Sequence, residues 1–152
     1  MLNEHQITKK ITIGGRPDKA EIESLHARGF ETVINLLTPD EVGHEHEERE
    51  VEDAGMTYAA VPTAPDLLDD ISMARFSQAI DSSDGPVAVH CKGGGRAGVL
   101  TMLHLAVSNG LTVEEALETA EESHVKIGTD SPYRAFFESY IRRHSAGERN
   151  AE

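Results

Sequence analysis

Val87-Ala88-Val89-His90-Cys91-Lys92-Gly93-Gly94-Gly95-Arg96-Ala97-Gly98 reads as a short apolar strand, a glycine-rich loop and the start of a helix. Val99, Leu100, Met102, Leu103, Leu105, Ala106 and Val107 continue that helix, apolar almost all round. Such a helix belongs at the centre of a domain. The single cysteine of the chain, Cys91, stands where strand becomes loop. Three consecutive glycines permit close backbone approach and positive φ. Successive N–H groups can then turn inward around a tetrahedral anion. Arg96 adds a planar fork that binds two oxygens at once. The helix points its positive end at the loop, and a nearby cation acts the same way, so both favour a thiolate. The stretch therefore predicts a cysteine nucleophile in an anion-binding loop.

Working outward, the pattern alternates strands and helices. Ile11-Thr12-Ile13 is expected to be a short edge strand, followed by a turn over Gly14-Gly15-Arg16-Pro17. Asp18 and Glu21 form a capping-box pair for a helix that buries Ile22 and Leu25 and ends at Gly29. Thr32 to Leu37 and Met56 to Val61 are expected strands. Between them, residues 41–54 are dense in Glu and His and read as an exposed helix or partly helical loop with a solvated acidic face. Asp70 is expected to cap a helix over 71–82 that buries Met73, Phe76 and Ile80. Thr112 and Glu115 announce another helix, and Ser131-Pro132 a last one with proline at its first position. Tyr133, Phe136, Phe137, Tyr140 and Ile141 form its core-facing stripe.

This order predicts an α/β fold with a mostly parallel central sheet of four to five strands flanked by helices. The expected organisation is one domain over residues 1–145 with a flexible tail over 146–152. In such sheets, sites lie at the carboxyl ends of strands, where Cys91 falls.

The formal net charge of −13 argues against nucleic-acid and anionic-membrane partners. No apolar run reaches the roughly 20 residues that span a bilayer. No secretory signal is visible, and one cysteine cannot form an internal disulfide, so a cytoplasmic location is expected. An ester leaving group also needs a proton, and the loop after the second expected strand offers Asp66, Asp69 and Asp70. With Asp70 used in capping, Asp66 is the first choice for general acid and Asp69 the second.

His90-Cys91, the glycines and Arg96 resemble the signature of cysteine-dependent tyrosine and dual-specificity phosphatases. Ile13-Gly14-Gly15-Arg16-Pro17, Gly29-Phe30 and Thr32-Val33-Ile34-Asn35-Leu36-Leu37 resemble, within that superfamily, the bacterial phosphatase-like family associated with beta-lactamase-like hydrolases. The resemblance implies a dual-specificity-phosphatase-like fold and a phosphoric monoester hydrolase acting through a cysteinyl-phosphate intermediate. Cys91 would be the nucleophile, and Arg96 would bind the phosphate. Lys92, Gly93, Gly94, Gly95, Arg96 and Ala97 would supply N–H groups. His90 would fix the loop, and Asp66 would be the acid. No cofactor or metal is implied, and the partner is a phosphorylated substrate, either protein or small molecule.

Two features depart from the usual signature. Four residues rather than five separate Cys91 from Arg96, and Ala97 stands where a hydroxyl residue is usual. The short loop also resembles single-domain rhodaneses, which makes a sulfurtransferase carrying a persulfide on Cys91 the alternative, with an anion-binding module of little turnover as a third reading. Gly93-x-Gly95-x-x-Gly98 formally matches a dinucleotide fingerprint, but no strand with an acidic residue follows it. His44 and Glu48 have metal-ligand spacing, yet the acidic face accounts for them. His104, within the apolar helix, reads as a hydrogen-bonded core histidine.

Overall fold

In the computed structural model, residues 1–43 and 45–151 are described, with side chains through His144. The strands are β1 (His5–Gln6), β2 (Ile11–Gly15), β3 (Thr32–Asn35), β4 (Thr57–Ala60) and β5 (Val87–Cys91). The helices are α1 (Lys19–Ala27), α2 (Glu47–Asp53), α3 (Asp70–Asp81), α4 (Gly95–Ser108), α5 (Val113–Glu122) and α6 (Arg134–Ala151). The sheet order is β1-β2-β5-β3-β4, with β1 antiparallel to β2 and every other pairing parallel. The expected α/β class and mostly parallel sheet are what the chain adopts.

Strand β5 lies at the middle of the sheet, and all five of its residues are buried. A parallel strand covered on both faces must be apolar throughout, which is why Val87-Ala88-Val89 shows no alternation. Its side chains nevertheless alternate between faces. Val87, Val89 and Cys91 belong to the large core built with α3, α4, α5 and α6. Ala88 belongs to the smaller core of Ile22, Leu25, Phe30, Val33, Val51 and Met56, under α1 and α2. His90 therefore faces the α1–α2 layer, while its neighbour Cys91 faces the other.

Helix α4 crosses the large core with Ala97, Leu100, Thr101, Leu103 and Ala106 fully buried. Both capping boxes form: Asp18 and Glu21 exchange bonds at the start of α1, and Thr112 and Glu115 at the start of α5. Each cap is worth about 1 kcal/mol. His104 is buried and bonds the Ser77 hydroxyl at 2.9 Å, as its place in an apolar helix implied.

Several local expectations are corrected. Ile11-Thr12-Ile13 is not at the edge, because the two-residue strand β1 pairs outside it. A two-residue strand carries no periodicity to read. Gly14 and Gly15 continue β2 rather than turning. Gly15 sits opposite Cys91, and a Cβ there would meet the Lys92 carbonyl oxygen at 2.8 Å, so only glycine lets this strand approach the loop. Asp69, not Asp70, caps α3, its carboxylate accepting from Ser72 N–H at 2.8 Å. Asp70 instead accepts a bond from Arg143 at 2.6 Å. Helix α6 begins at Arg134, after a turn through Pro132-Tyr133, so the proline precedes the first helical turn. The acidic segment takes the partly helical form of its two expected readings, with Glu47–Asp53 as the helix. Of the His44–Glu48 pair, His44 lies outside the described residues.

Candidate active site

The site forms where β5 ends. Cys91 is 2 % exposed, and the Gly94 N–H donates to its Sγ at 3.1 Å. That bond requires the loop to double back within three residues. Gly94 does so at φ +102°, the left-handed region open to glycine, and then serves as N-cap of α4. Loop position is held from outside as well. The Gly93 carbonyl accepts from the Asn3 amide at 3.0 Å, and Arg16 N–H donates to the Lys92 carbonyl at 3.4 Å. Gly98, one turn into α4, lies against Val125, drawing the segment after α5 onto the loop.

Arg96 projects from the first turn of α4 and is gripped by a carboxylate. Its Nη1 donates to Glu41 Oε1 and to the Thr63 carbonyl, and its Nη2 to Glu41 Oε2, all at 2.8 Å. A guanidinium has five N–H donors. These bonds use both on Nη1 and one on Nη2. The Nε–H and the second Nη2–H remain, side by side on one edge, the fork that meets two oxygens of a tetrahedral anion. Arg96 holds the Glu41 carboxyl down at about 2, helped by bonds from Thr38 and against the effect of burial. The same pair raises Arg96 above the ordinary guanidinium value.

His90 is fully buried beneath the loop. Its Nε2 bonds Glu47 Oε2, and its Nδ1 lies 3.4 Å from the Cys91 carbonyl oxygen. Glu47, the first residue of α2, is itself 1 % exposed.

Above Cys91 opens a cavity of about 360 Å3. Cys91, Lys92, Gly93, Gly95 and Arg96 form one wall, and Lys126, Ser131, Pro132 and Tyr133 the other. None of the described residues lining it is a carboxylate, in a chain of net charge −13. Tyr133 is half-buried, and burial raises its phenol above the usual value. Ala97 is fully buried in α4. Asp66 lies exposed in the turn that follows Pro65 and does not line the cavity.

Cys91, Lys92, Gly93, Gly95 and Arg96 thus meet around one space, which Gly94, Ala97 and Asp66 do not line. Glu41 and Glu47 carry no sequence signal of their own, because a dense run of acids looks like a solvated face. Tyr133 by its spacing fits the core stripe alone. Its stripe partners Phe137, Tyr140 and Ile141 are buried as expected, whereas Tyr133 packs on the core and also faces the cavity. The signal for it was the pair Ser131-Pro132, which turns the chain just before the helix. No group of His, Cys, Asp and Glu among the described residues has metal-site geometry. No helix among them is long and apolar enough to cross a membrane.

A parallel sheet ending in a cysteine, a glycine loop and an arginine at the head of a buried helix is the architecture of cysteine-type phosphatases. Solved structures agree on the fold. PTPMT1 in complex with PI(5)P superposes with a TM-score of 0.77 at 19% identity, covering 95% of this chain and 98% of that one. TpbA of P. aeruginosa does so at 0.72 and 21% identity, covering 99% and 90%. A variant of TpbA in complex with pTyr gives 0.70 at 20% identity, covering 99% and 90%.

Within that class, the chain belongs to the phosphatase-like domain family of beta-lactamase hydrolase-like proteins, whose model matches residues 4–108. It is 34% identical over 102 residues to the beta-lactamase hydrolase-like protein of Agrobacterium fabrum, covering 64% of this chain and 24% of that protein. It is 30% identical over 122 residues to that of Xylella fastidiosa, covering 78% and 28%. The chain therefore spans about a quarter of the length of these curated relatives.

Proposed function

We propose that this domain hydrolyses a phosphate monoester through a cysteinyl-phosphate intermediate, with Cys91 as nucleophile. The observation that carries the reading is the shared cavity. The sulfur, the loop and Arg96 all line it; among the described residues no carboxylate does, and the Arg96 Nε–Nη2 edge has no partner. A phosphoryl dianion bound there would exchange its water shell for backbone N–H groups and the arginine fork. The thiolate attacks phosphorus, an S–P bond forms, and the ester P–O bond breaks. Asp66 gives its proton to the leaving oxygen. Water then attacks the S–P bond, Asp66 takes a proton from that water, and phosphate leaves as the thiolate is regenerated.

Asp66 is favoured over its neighbours because they are committed. Asp69 caps α3 and Asp70 pairs with Arg143. Asp66 makes no hydrogen bond or ion pair among the described residues. The complexes of PTPMT1 with PI(5)P and of TpbA with pTyr support a phosphorylated substrate for this chain too, either protein or small molecule. A cytoplasmic setting agrees with a reactive thiol that has no second cysteine to pair with.

The test is hydrolysis of an aryl phosphate in the presence of a chelator, run beside thiocyanate formation from thiosulfate and cyanide. Phosphate release that vanishes in Cys91→Ser is the expected result. Release that survives the substitution overturns the mechanism. Thiocyanate formation without phosphate release replaces the reading with sulfur transfer. Vanadate binding with neither turnover replaces it with an anion-binding module.

A further inference from the structure

Beneath the loop, the Glu47–His90 pair is buried beside an apolar cluster that includes Val33, Val51 and Ala88. Burying ionisable groups is unfavourable unless each is matched, so the pairing needs a reason. Proton accounting supplies one. A neutral imidazole has one N–H and one acceptor nitrogen. Here both nitrogens face oxygens that accept: the Glu47 carboxylate at Nε2 and the Cys91 carbonyl at Nδ1. With Glu47 ionised, a ring with two N–H groups satisfies both; a neutral ring does so only if the Glu47 carboxyl itself carries the proton.

The neighbouring elements offer no rival partner. On β3, Asn35 is in register with His90, but its amide donates to the Tyr58 hydroxyl at 3.1 Å and its carbonyl oxygen accepts from Leu37 N–H at 2.8 Å. On β2 the register partner is Gly14, which has no side chain. Tyr58 on β4 interacts electrostatically with Glu47 and with the exposed Glu48 on α2.

We propose that Glu47 is a positioning residue for the nucleophile, holding His90 as an imidazolium against the Cys91 backbone. The ring lies between the two, so its positive charge is nearer to Cys91 than the Glu47 carboxylate is. It fixes the carbonyl of the nucleophile and favours a sulfur anion. Among the described residues, the other charged and titratable groups around Cys91 include Arg96, Glu41, Lys92, Lys126 and Tyr133. The proposal deepens the reading of Cys91 as nucleophile and rests on it.

The experiment measures Cys91 alkylation by iodoacetamide as a function of pH, which needs no turnover. Glu47→Gln can donate its amide N–H to Nε2, leaving a neutral ring with its proton on Nδ1, so the shape is kept and the charge lost. Circular dichroism melts establish that the variant is folded. Alkylation at neutral pH should slow by roughly fivefold, and the rate profile should move to higher pH. Glu47→Asp, which keeps the carboxylate, should recover part of the rate. Histidine-selective 15N NMR at neutral pH should show both His90 nitrogens protonated in the wild type and one in Glu47→Gln. An unmoved alkylation profile, or a neutral His90 in the wild type, overturns the proposal. If the wild type hydrolyses no phosphate ester yet the profile moves, the phosphatase reading fails and the positioning role stands.

Discussion

The loop Cys91–Arg96 and the acidic segment over residues 38–54 meet at one site from opposite kinds of sequence. The loop is short, nearly all glycine, and set by the end of a central strand. The acidic segment is long, polar and mostly irregular, with only the seven residues Glu47–Asp53 in a helix. Yet it grips the loop at both ends: Glu41 holds Arg96, and six residues on, Glu47 holds His90. Of its other carboxylates, Asp40, Glu45, Glu48, Glu52 and Asp53 are exposed and Glu50 is half-buried. Carboxylates of one composition thus separate into two that organise a site and several that keep the protein solvated. What separates them is the partner across from each, not their own neighbours in sequence.

That contrast is most severely tested on the loop side. Arg96→Lys keeps the charge but removes the fork, so kcat/KM on an aryl phosphate should fall about 10²–10³-fold. A loss below tenfold would mean that the arginine serves only as a point charge.

On the acidic side, Glu41→Gln should act through stability. The folded-state carboxyl sits at about 2 against an ordinary 4.5. That difference corresponds to at most about 3 kcal/mol. The side chains of Arg96 and Glu41 are 15% and 25% exposed, so solvent screening brings the expected loss to about 1–2 kcal/mol. Because the folded value is depressed, the contribution is complete above about 4.5 and disappears as pH falls toward about 2. Urea titrations at neutral pH should separate variant from wild type, and the gap should narrow on acidification. A gap that widens on acidification would break the assignment.

The smallest effect is the control within the same segment. Glu45 and its neighbour His46 are both largely exposed, with 3.9 Å between His46 Nε2 and Glu45 Oε2. Glu45→Gln should change stability by less than about 0.5 kcal/mol and leave aryl phosphatase activity unaltered. A larger effect would show that the acidic segment acts as a whole and not through two residues.

Much of the fold was legible because local chemistry and tertiary structure agreed. The capping boxes at Asp18 and Thr112, the buried strand at β5 and the all-apolar helix α4 each carry their own signature. The Cys91–Arg96 loop was legible for the same reason, since glycines, cysteine and arginine at that spacing have few other uses. The cap of α3 shifted by one residue because Asp69 and Asp70 are adjacent acids of equal capping ability. Only the distant Arg143 separates their roles. Strand β2 extended through Gly14 and Gly15 because the loop needs bare backbone beside it, a demand made by residues far along the chain.

The sequence by itself determined an α/β domain with Cys91 at a strand end, a turning loop of glycines and Arg96 at the head of a central helix. Those features depend on backbone freedom, hydrophobic period and side-chain chemistry, all of which are local. Tertiary structure alone decided which carboxylates join the site, that Tyr133 and Lys126 close the cavity, and that His90 faces the layer opposite Cys91. These depend on what lies across a sheet or beneath a loop. A charge is solvated or buried according to the partner that packing brings to it.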